Sequence, residues 1–199
     1  GQFDPLGLCA PISMRTKSLL RRSHAASEGW DKELPRDIKE AWGDLVGELW
    51  EAGTVFFPRS TVPLSSSDHK PLLVGFGDGS SSGFAAAVYA VWPQSGFTQV
   101  NLVMDKARLA PASGGSVPRM EMSSAVLLGR LMLLVLRSAG FQPEETLMLL
   151  DSECSVAALQ RRDGTLRPYF AHRTAEVAET IDAMKLLCPL VHPMQAVAG

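Results

Sequence analysis

The apolar residues of this chain follow one period near its start and another further on. Ile38, Ala41, Trp42, Leu45, Val46 and Leu49 recur every three or four positions, the spacing of an amphipathic helix over residues 38–51 with one stripe to bury. A shorter helix is expected over 11–20, after the turn Asp4-Pro5-Leu6-Gly7, with Arg15, Lys17, Arg21 and Arg22 forming a basic cluster. Ser and Pro are frequent across 60–70, which reads as a linker. Beyond it the apolar positions gather into short blocks. Residues 72–77, 84–92 and 97–104 read as strands, and their short connections predict an antiparallel meander. A Pro- and Gly-rich stretch leads into an apolar helix over 119–137 that ends near Gly140. A strand over 146–150, a helix over 152–161, a turn at Asp163-Gly164 and a helix over 171–187 follow.

Three strands, a helix, a strand and a helix make the order of an α/β, ribonuclease H-like core, a mixed sheet flanked by helices. A small, mainly helical segment over residues 1–65 precedes it, and the core is expected over 66–199. At 199 residues, with 46% apolar and 20% charged positions, the chain can bury a real core and is not globally disordered. A net charge of −2 argues neither for nor against nucleic acid, and any such contact must rely on local patches or a neighbouring domain. Cys9, Cys154 and Cys188 are widely spaced with no Cys-x-x-Cys pair, which fits small fillers in a reducing compartment rather than disulfides or zinc. The longest apolar run, near 125–136, is broken by Gly129 and Arg130 and is too short to span a bilayer. A first residue other than Met and an abrupt end at Gly199 suggest a piece of a longer chain.

Three carboxylates stand where such a core would place a site. Asp78 ends the row Leu72, Val74, Phe76 on one strand face, with Gly75 and Gly77 in the opposite row. Asp151 lies on the face of Leu147 and Leu149. At about 100° per residue, Ser123, Arg130 and Arg137 fall on the solvent stripe of the long helix, and Glu121 falls on the stripe of Ala125, Leu128 and Met132. Each has a simpler reading. Asp78 could cap its own turn, Asp151 could be a helix N-cap, and Glu121 could favour the positive end of its helix. Clustered, they could hold two Mg²⁺ ions about 3.5–4 Å apart, with Mn²⁺ as a substitute, for an in-line phosphodiester displacement. Lys106 and Arg108, following the third strand, and Arg119 are candidate phosphate contacts. Glu176, Glu179 and Asp182 read as a solvated helix face, His172 as surface, and Trp42, Trp50 and Trp92 as packing.

The chain resembles the region after the polymerase core in reverse transcriptases of BEL/Pao-type LTR retrotransposons. The motifs are Asp4-Pro5-Leu6-Gly7-Leu8, Ala10-Pro11, the Arg15/Lys17 helix, Trp30-Asp31, Leu34-Pro35 and Phe57-Pro58-Arg59. They continue through Gly75-Phe76-Gly77-Asp78-Gly79-Ser80, the run 105–111, Val117-Pro118-Arg119-Met120-Glu121-Met122, Leu150-Asp151-Ser152 and Arg173-Thr174-Ala175-Glu176-Val177. The resemblance implies a connection segment followed by a ribonuclease H domain that removes RNA from RNA·DNA hybrids, with Asp78, Glu121 and Asp151 on the first three catalytic positions. It implies a polymerase domain of the same polyprotein as partner, no membrane, and a cytoplasmic virus-like particle or the nucleus as location. The family's fourth acidic residue lies in an Asn-Pro-Ala-Asp-like stretch, and the chain stops at Gly199 apparently just short of it. Gly77 and Gly79 stand where Ser or Ala is usual. Two rivals remain: an inactive module of the same fold that grips nucleic acid within a larger polymerase, and another acidic-cluster enzyme of this fold such as an integrase.

Overall fold

Backbone pairing and helix packing are described from a computed structural model, over residues 4–27, 29, 31–56, 60–63, 70–161 and 165–197. The chain divides into two units, Gly1–Arg59 and Ser60–Gly199.

In the first unit α1 (Ala10–Ala26) pairs with α2 (Arg36–Ala52). Asp4 prepares the entry to α1, its carboxylate accepting from the backbone N–H groups of Leu8 (3.0 Å) and Cys9 (2.8 Å). α1 runs past the expected residue 20 because no Gly or Pro interrupts the segment before Ser27. Leu19, Ile38 and Leu45 form the buried centre, flanked by Ile12, Ala41, Trp42 and Leu49. The Trp42 indole donates to Ser23 Oγ at 2.9 Å, so its polar end is satisfied beside apolar surface. Part of the basic cluster is engaged locally, Arg15 with Glu48 and Arg22 with Asp37. Trp50 departs from its expected packing role, being 84% exposed.

In the second unit β1 (Leu72–Gly79), β2 (Gly83–Gln94) and β3 (Phe97–Leu109) form the meander, turned between β2 and β3 at Gly96, whose φ is +91°. α3 (Val117–Ser138) starts with Pro118 in its first turn and stops where Gly140 takes φ +70°, a conformation that suits glycine after a helix. It returns the chain to β4 (Glu145–Leu150), which pairs parallel with β1 from Leu72↔Glu145 to Gly77↔Leu150. α4 (Glu153–Gln160) and α5 (Pro168–Lys185) follow. β5 (Leu190–Val191) and β6 (Gln195–Ala196) then both pair parallel with β4, giving the order β3-β2-β1-β4-β5 with β6 further along β4. The sequence predicts no strand there, because β5 and β6 are two residues each, β6 begins with the polar Gln195, and Pro193 between them lacks an N–H for the ladder.

α3 fills the centre of this unit. Ala125, Leu128 and Met132 are fully buried, with Leu73, Val88, Met148 and Leu150 among their core neighbours. Trp92 joins the core, edge-on to Phe141 at 5.5 Å. α5 packs on the far side of α3 at Gly129, where an added Cβ would lie 3.4 Å from Thr180 Cγ2. The four strands β1 to β4 all run past the expected bounds, β1 and β3 in ways that bear on the site. β1 includes Asp78, and β3 includes Lys106 and Arg108, because pairing with β2 continues to Gly83↔Leu109. Trp30, Phe57-Pro58-Arg59, residues 64–69 of the linker and the turn at Asp163-Gly164 lie outside the described residues.

Candidate metal centre

The site is built by one strand pair and one helix end. β1 and β4 run parallel with Gly77 opposite Leu150, so one step further along each chain sets Asp78 beside Asp151. Both occupy the carboxyl ends of adjacent strands, where a parallel pair leaves a crevice for ligands. The two carboxyl groups lie side by side, close enough for the charge of Asp78 to act on Asp151.

The row of β1 that faces α3 is the glycine row. An added Cβ on Gly75 would meet Leu128 Cδ1 at 2.5 Å and Met132 Cε at 2.8 Å, and one on Gly77 would meet Leu150 Cδ2 at 2.8 Å and Ser124 Oγ at 3.3 Å. On Gly79 it would strike the backbone of α3, with Glu121 N at 2.3 Å and Met120 C at 2.5 Å. Three glycines at alternate positions therefore let the helix lie flush on the strand, and its first turns come down beside Asp78. The row Leu72, Val74, Phe76 belongs to the other face of the sheet, where Phe76 is 44% exposed and meets Tyr89 edge-on. Asp78 and Asp151 are exposed on that side, not buried behind the helix.

Glu121 is half-buried, on the stripe of Ala125, Leu128 and Met132 as its spacing predicts. Its Oε2 accepts a 2.7 Å hydrogen bond from Ser152 Oγ. The simpler readings of the three carboxylates go to their neighbours. Ser80 holds the turn after β1, accepting from Ser82 N at 3.3 Å. Ser152, not Asp151, is the N-cap of α4, accepting from Ser155 N. Glu121 lies beyond the first turn of α3, which contains no acidic residue.

Burial raises the Asp151 carboxyl above the ordinary aspartate range, and the charges of Asp78 and Glu121 push the same way. The proton is thus held more tightly folded than unfolded. Stability of the metal-free protein falls as pH rises from about 3.8 through the raised folded value, because in that window the unfolded chain has already released the proton. Thermal melts in EDTA from pH 3.5 upward should show that decline, and Mg²⁺ should reverse it near neutral pH.

As the side chains lie, no group of three His, Cys, Asp or Glu among the described residues forms a ready metal cage. Asp78 and Asp151 face each other and Glu121 faces Ser152. The donor set still fits a small hard cation: it is all carboxylate oxygen, without thiolate or imidazole, and its crowded negative charge calls for a cation.

The candidate phosphate contacts are separated from this crevice in different ways. Lys106 and Arg108 are exposed on the edge strand β3, in register through Ala86 and Phe84 with Gly77 and Gly79. They therefore belong to the glycine face, opposite Asp78. The Arg119 guanidinium lies 5.1 Å from the centre of the Tyr169 ring, and that of Arg173 lies 5.6 Å away. Tyr169 Oη also shares a 2.9 Å hydrogen bond with Ser123, so the expected solvent stripe of α3 is partly covered by α5. Glu176 is another departure: it is half-buried and ion-paired with Arg130 and Arg173 rather than solvated. An acidic residue at helical spacing cannot reveal such a partner on another helix. Sequence reasoning also passed over Ser152 as a contact of Glu121, although an Asp-Ser step before a helix was visible.

A mixed sheet carrying carboxylates at the ends of two parallel strands and on the crossing helix defines a ribonuclease H-like domain. The family described as Pao retrotransposon-like RNaseH-like domain matches residues 1–152, which include Asp78, Glu121 and Asp151. This chain belongs to that family. Comparison with curated proteins gives no match. Among solved structures, it is similar to a foamy viral protease-reverse transcriptase (dRH) in complex with double-stranded DNA, at 12% identity and a TM-score of 0.54. That match covers 96% of this chain and 28% of the viral one. RNase H1 from the halophilic archaeon Halobacterium salinarum NRC-1 matches at 15% identity and TM-score 0.41, over 63% of this chain and 85% of that one. LC11-RNase H1 in complex with an RNA/DNA hybrid matches at 13% and 0.39, over 64% and 85%. At 12% identity the foamy viral match speaks to the fold alone. Among the described residues no helix is long and apolar enough to cross a membrane.

Proposed function

We propose that the domain is a metal-dependent endoribonuclease cutting the RNA strand of RNA·DNA hybrids within a retroelement reverse transcriptase. The observation that carries this reading is the placement of Asp78 beside Asp151 across β1 and β4, with Glu121 brought to the same end of the sheet by α3. Asp78, Asp151 and Glu121 are the residues that would hold two Mg²⁺ ions, or Mn²⁺ in their place. Divalent ions there would supply an activated water and charge stabilisation at the leaving oxygen of an in-line displacement. The protein's own part is positional. The parallel strands fix the two aspartates at one spacing, and the flush helix fixes the height of Glu121 above them. Both aspartates are exposed, so a duplex backbone could reach them, and its A-form shape and 2′-hydroxyls would set substrate choice without base readout.

In this reading residues 1–65 are the connection to the polymerase domain of the same polyprotein, working in a cytoplasmic virus-like particle or the nucleus. Lys106, Arg108 and Arg119 would contribute phosphate contacts.

Incubation of an end-labelled RNA·DNA hybrid with Mg²⁺, with Mn²⁺ and with EDTA tests the proposal. The expected result is metal-dependent cutting of the RNA strand to 3′-hydroxyl and 5′-phosphate ends, with the same RNA single-stranded left intact. No cutting in either metal by folded protein would overturn it. Hybrid binding that survives in that case would point to a fold kept for gripping nucleic acid.

A further inference from the structure

We infer that Ser152 is a positioning residue that sets the direction of the Glu121 carboxylate. The inference rests on the nuclease reading, but it stands on a contact of its own. Ser152 follows β4 and caps α4 with an extended backbone (φ −96°, ψ 103°). Its Oγ accepts from Ser155 N at 3.2 Å and lies 2.7 Å from Glu121 Oε2. A hydroxyl has a single proton. With the helix N–H pointing at its oxygen, that proton is free to go to the carboxylate, so Ser152 donates and Glu121 accepts.

The consequence follows from side-chain length. Asp78 and Asp151 are short and are set by the register of two paired strands. Glu121 extends from a helix through several rotatable bonds and, left alone, would sample many directions. The cap fixes the Ser152 hydroxyl, and the hydroxyl fixes one carboxylate oxygen. The carboxylate held in this way is near enough to the aspartates for its charge to act on Asp151. Partners that orient a metal-binding carboxylate typically affect metal affinity or turnover by about 10–100-fold when removed.

The capping role and the positioning role can be separated by substitution in the intact chain. Glycine is tolerated at an N-cap nearly as well as serine, alanine is not, and threonine keeps the hydroxyl. A cap alone predicts that only Ser152→Ala lowers the melting temperature appreciably, with Mn²⁺ affinity unchanged in every variant. Positioning predicts that Mn²⁺ affinity, read by calorimetry, falls about tenfold in both Ser152→Gly and Ser152→Ala and returns in Ser152→Thr. It also predicts a fall of about tenfold in kcat for hybrid cleavage in the same two variants, with KM for the hybrid unchanged.

Ser152→Gly that binds Mn²⁺ as tightly as the native chain overturns the inference, whether or not the native chain cuts. A native chain that binds Mn²⁺ without cutting, while Ser152→Gly binds it more weakly, overturns the nuclease reading and leaves the positioning role supported. A native chain that neither binds nor cuts overturns both.

Discussion

Asp78→Asn should melt higher than the native protein in EDTA and yet lose hybrid cleavage by about 1,000-fold or more. The two effects share one cause. Without a cation, burial first and then the charges of Asp78 and Glu121 raise the Asp151 carboxyl above its ordinary range. An amide at position 78 removes one of the like charges and can donate a hydrogen bond to Asp151. Relief of about 1 kcal/mol would raise the melting temperature by a few degrees in a domain of this size. The same substitution removes a charged oxygen that the proposed metal ions would bind. Metal ions supply several kcal/mol of transition-state stabilisation, and each 1.36 kcal/mol is a factor of about ten. Added Mg²⁺ should raise the melting temperature of the native chain by mass action and leave that of the variant nearly still. The variant should also show a flatter decline of metal-free stability with pH. A variant that melts lower than the native chain in EDTA, or that cuts as fast, would sink the account of a repulsive carboxylate pair.

Gly79→Ala should be the most damaging single-methyl change in the sheet. The new Cβ would sit 2.3 Å from Glu121 N, 2.5 Å from Met120 C and 2.7 Å from Glu121 Cα, all backbone atoms of a helix locked into the core. No rotamer change relieves that clash, so the start of α3 must lift away from β1. Overpacking of this kind costs about 1–3 kcal/mol or more. Displacing Glu121 by about 1 Å should lower activity on the order of 100-fold. Gly75→Ala is the matched control. Its Cβ would meet only the ends of Leu128 and Met132, which can swing aside. Urea unfolding and cleavage rates should therefore rank Gly79→Ala well below Gly75→Ala, and Gly75→Ala should keep most of its activity. Equal behaviour of the two variants would mean that the flush contact at Gly79 does not set the site.

That Asp78, Glu121 and Asp151 come together at one end of the sheet was legible in the sequence, but which face α3 covers was not. Glu121 announced itself because a carboxylate on the stripe of Ala125, Leu128 and Met132 breaks an apolar period. The aspartates stood at the ends of strand-like runs for the same reason. The row Leu72, Val74, Phe76, Asp78 shares one face as its alternation predicts, but nothing in it shows that α3 covers the opposite face, since that face is made of glycines, which carry no side chain to advertise burial. Contacts between elements were equally silent. The Ser152–Glu121 bond, the Arg130–Glu176 pair and the stacking of Arg119 on Tyr169 each join segments far apart in the chain, and each residue looks ordinary in its own window. The strand formed by β5 and β6 escaped because its pairing partner, not its own composition, makes it a strand.

The parallel pairing of β1 with β4 also has a kinetic side. The meander β1-β2-β3 closes through short loops and can zip up locally, whereas Leu72 reaches Glu145 only after a long loop has been closed around α3. Non-local pairing of this kind is slow, because loop-closure entropy is lost before the contacts repay it. The two aspartates lie on segments far apart in the chain and become neighbours only when β4 docks on β1. A nascent or partly folded chain therefore carries all three carboxylates and no centre, and whatever chemistry they perform is withheld until the sheet is whole.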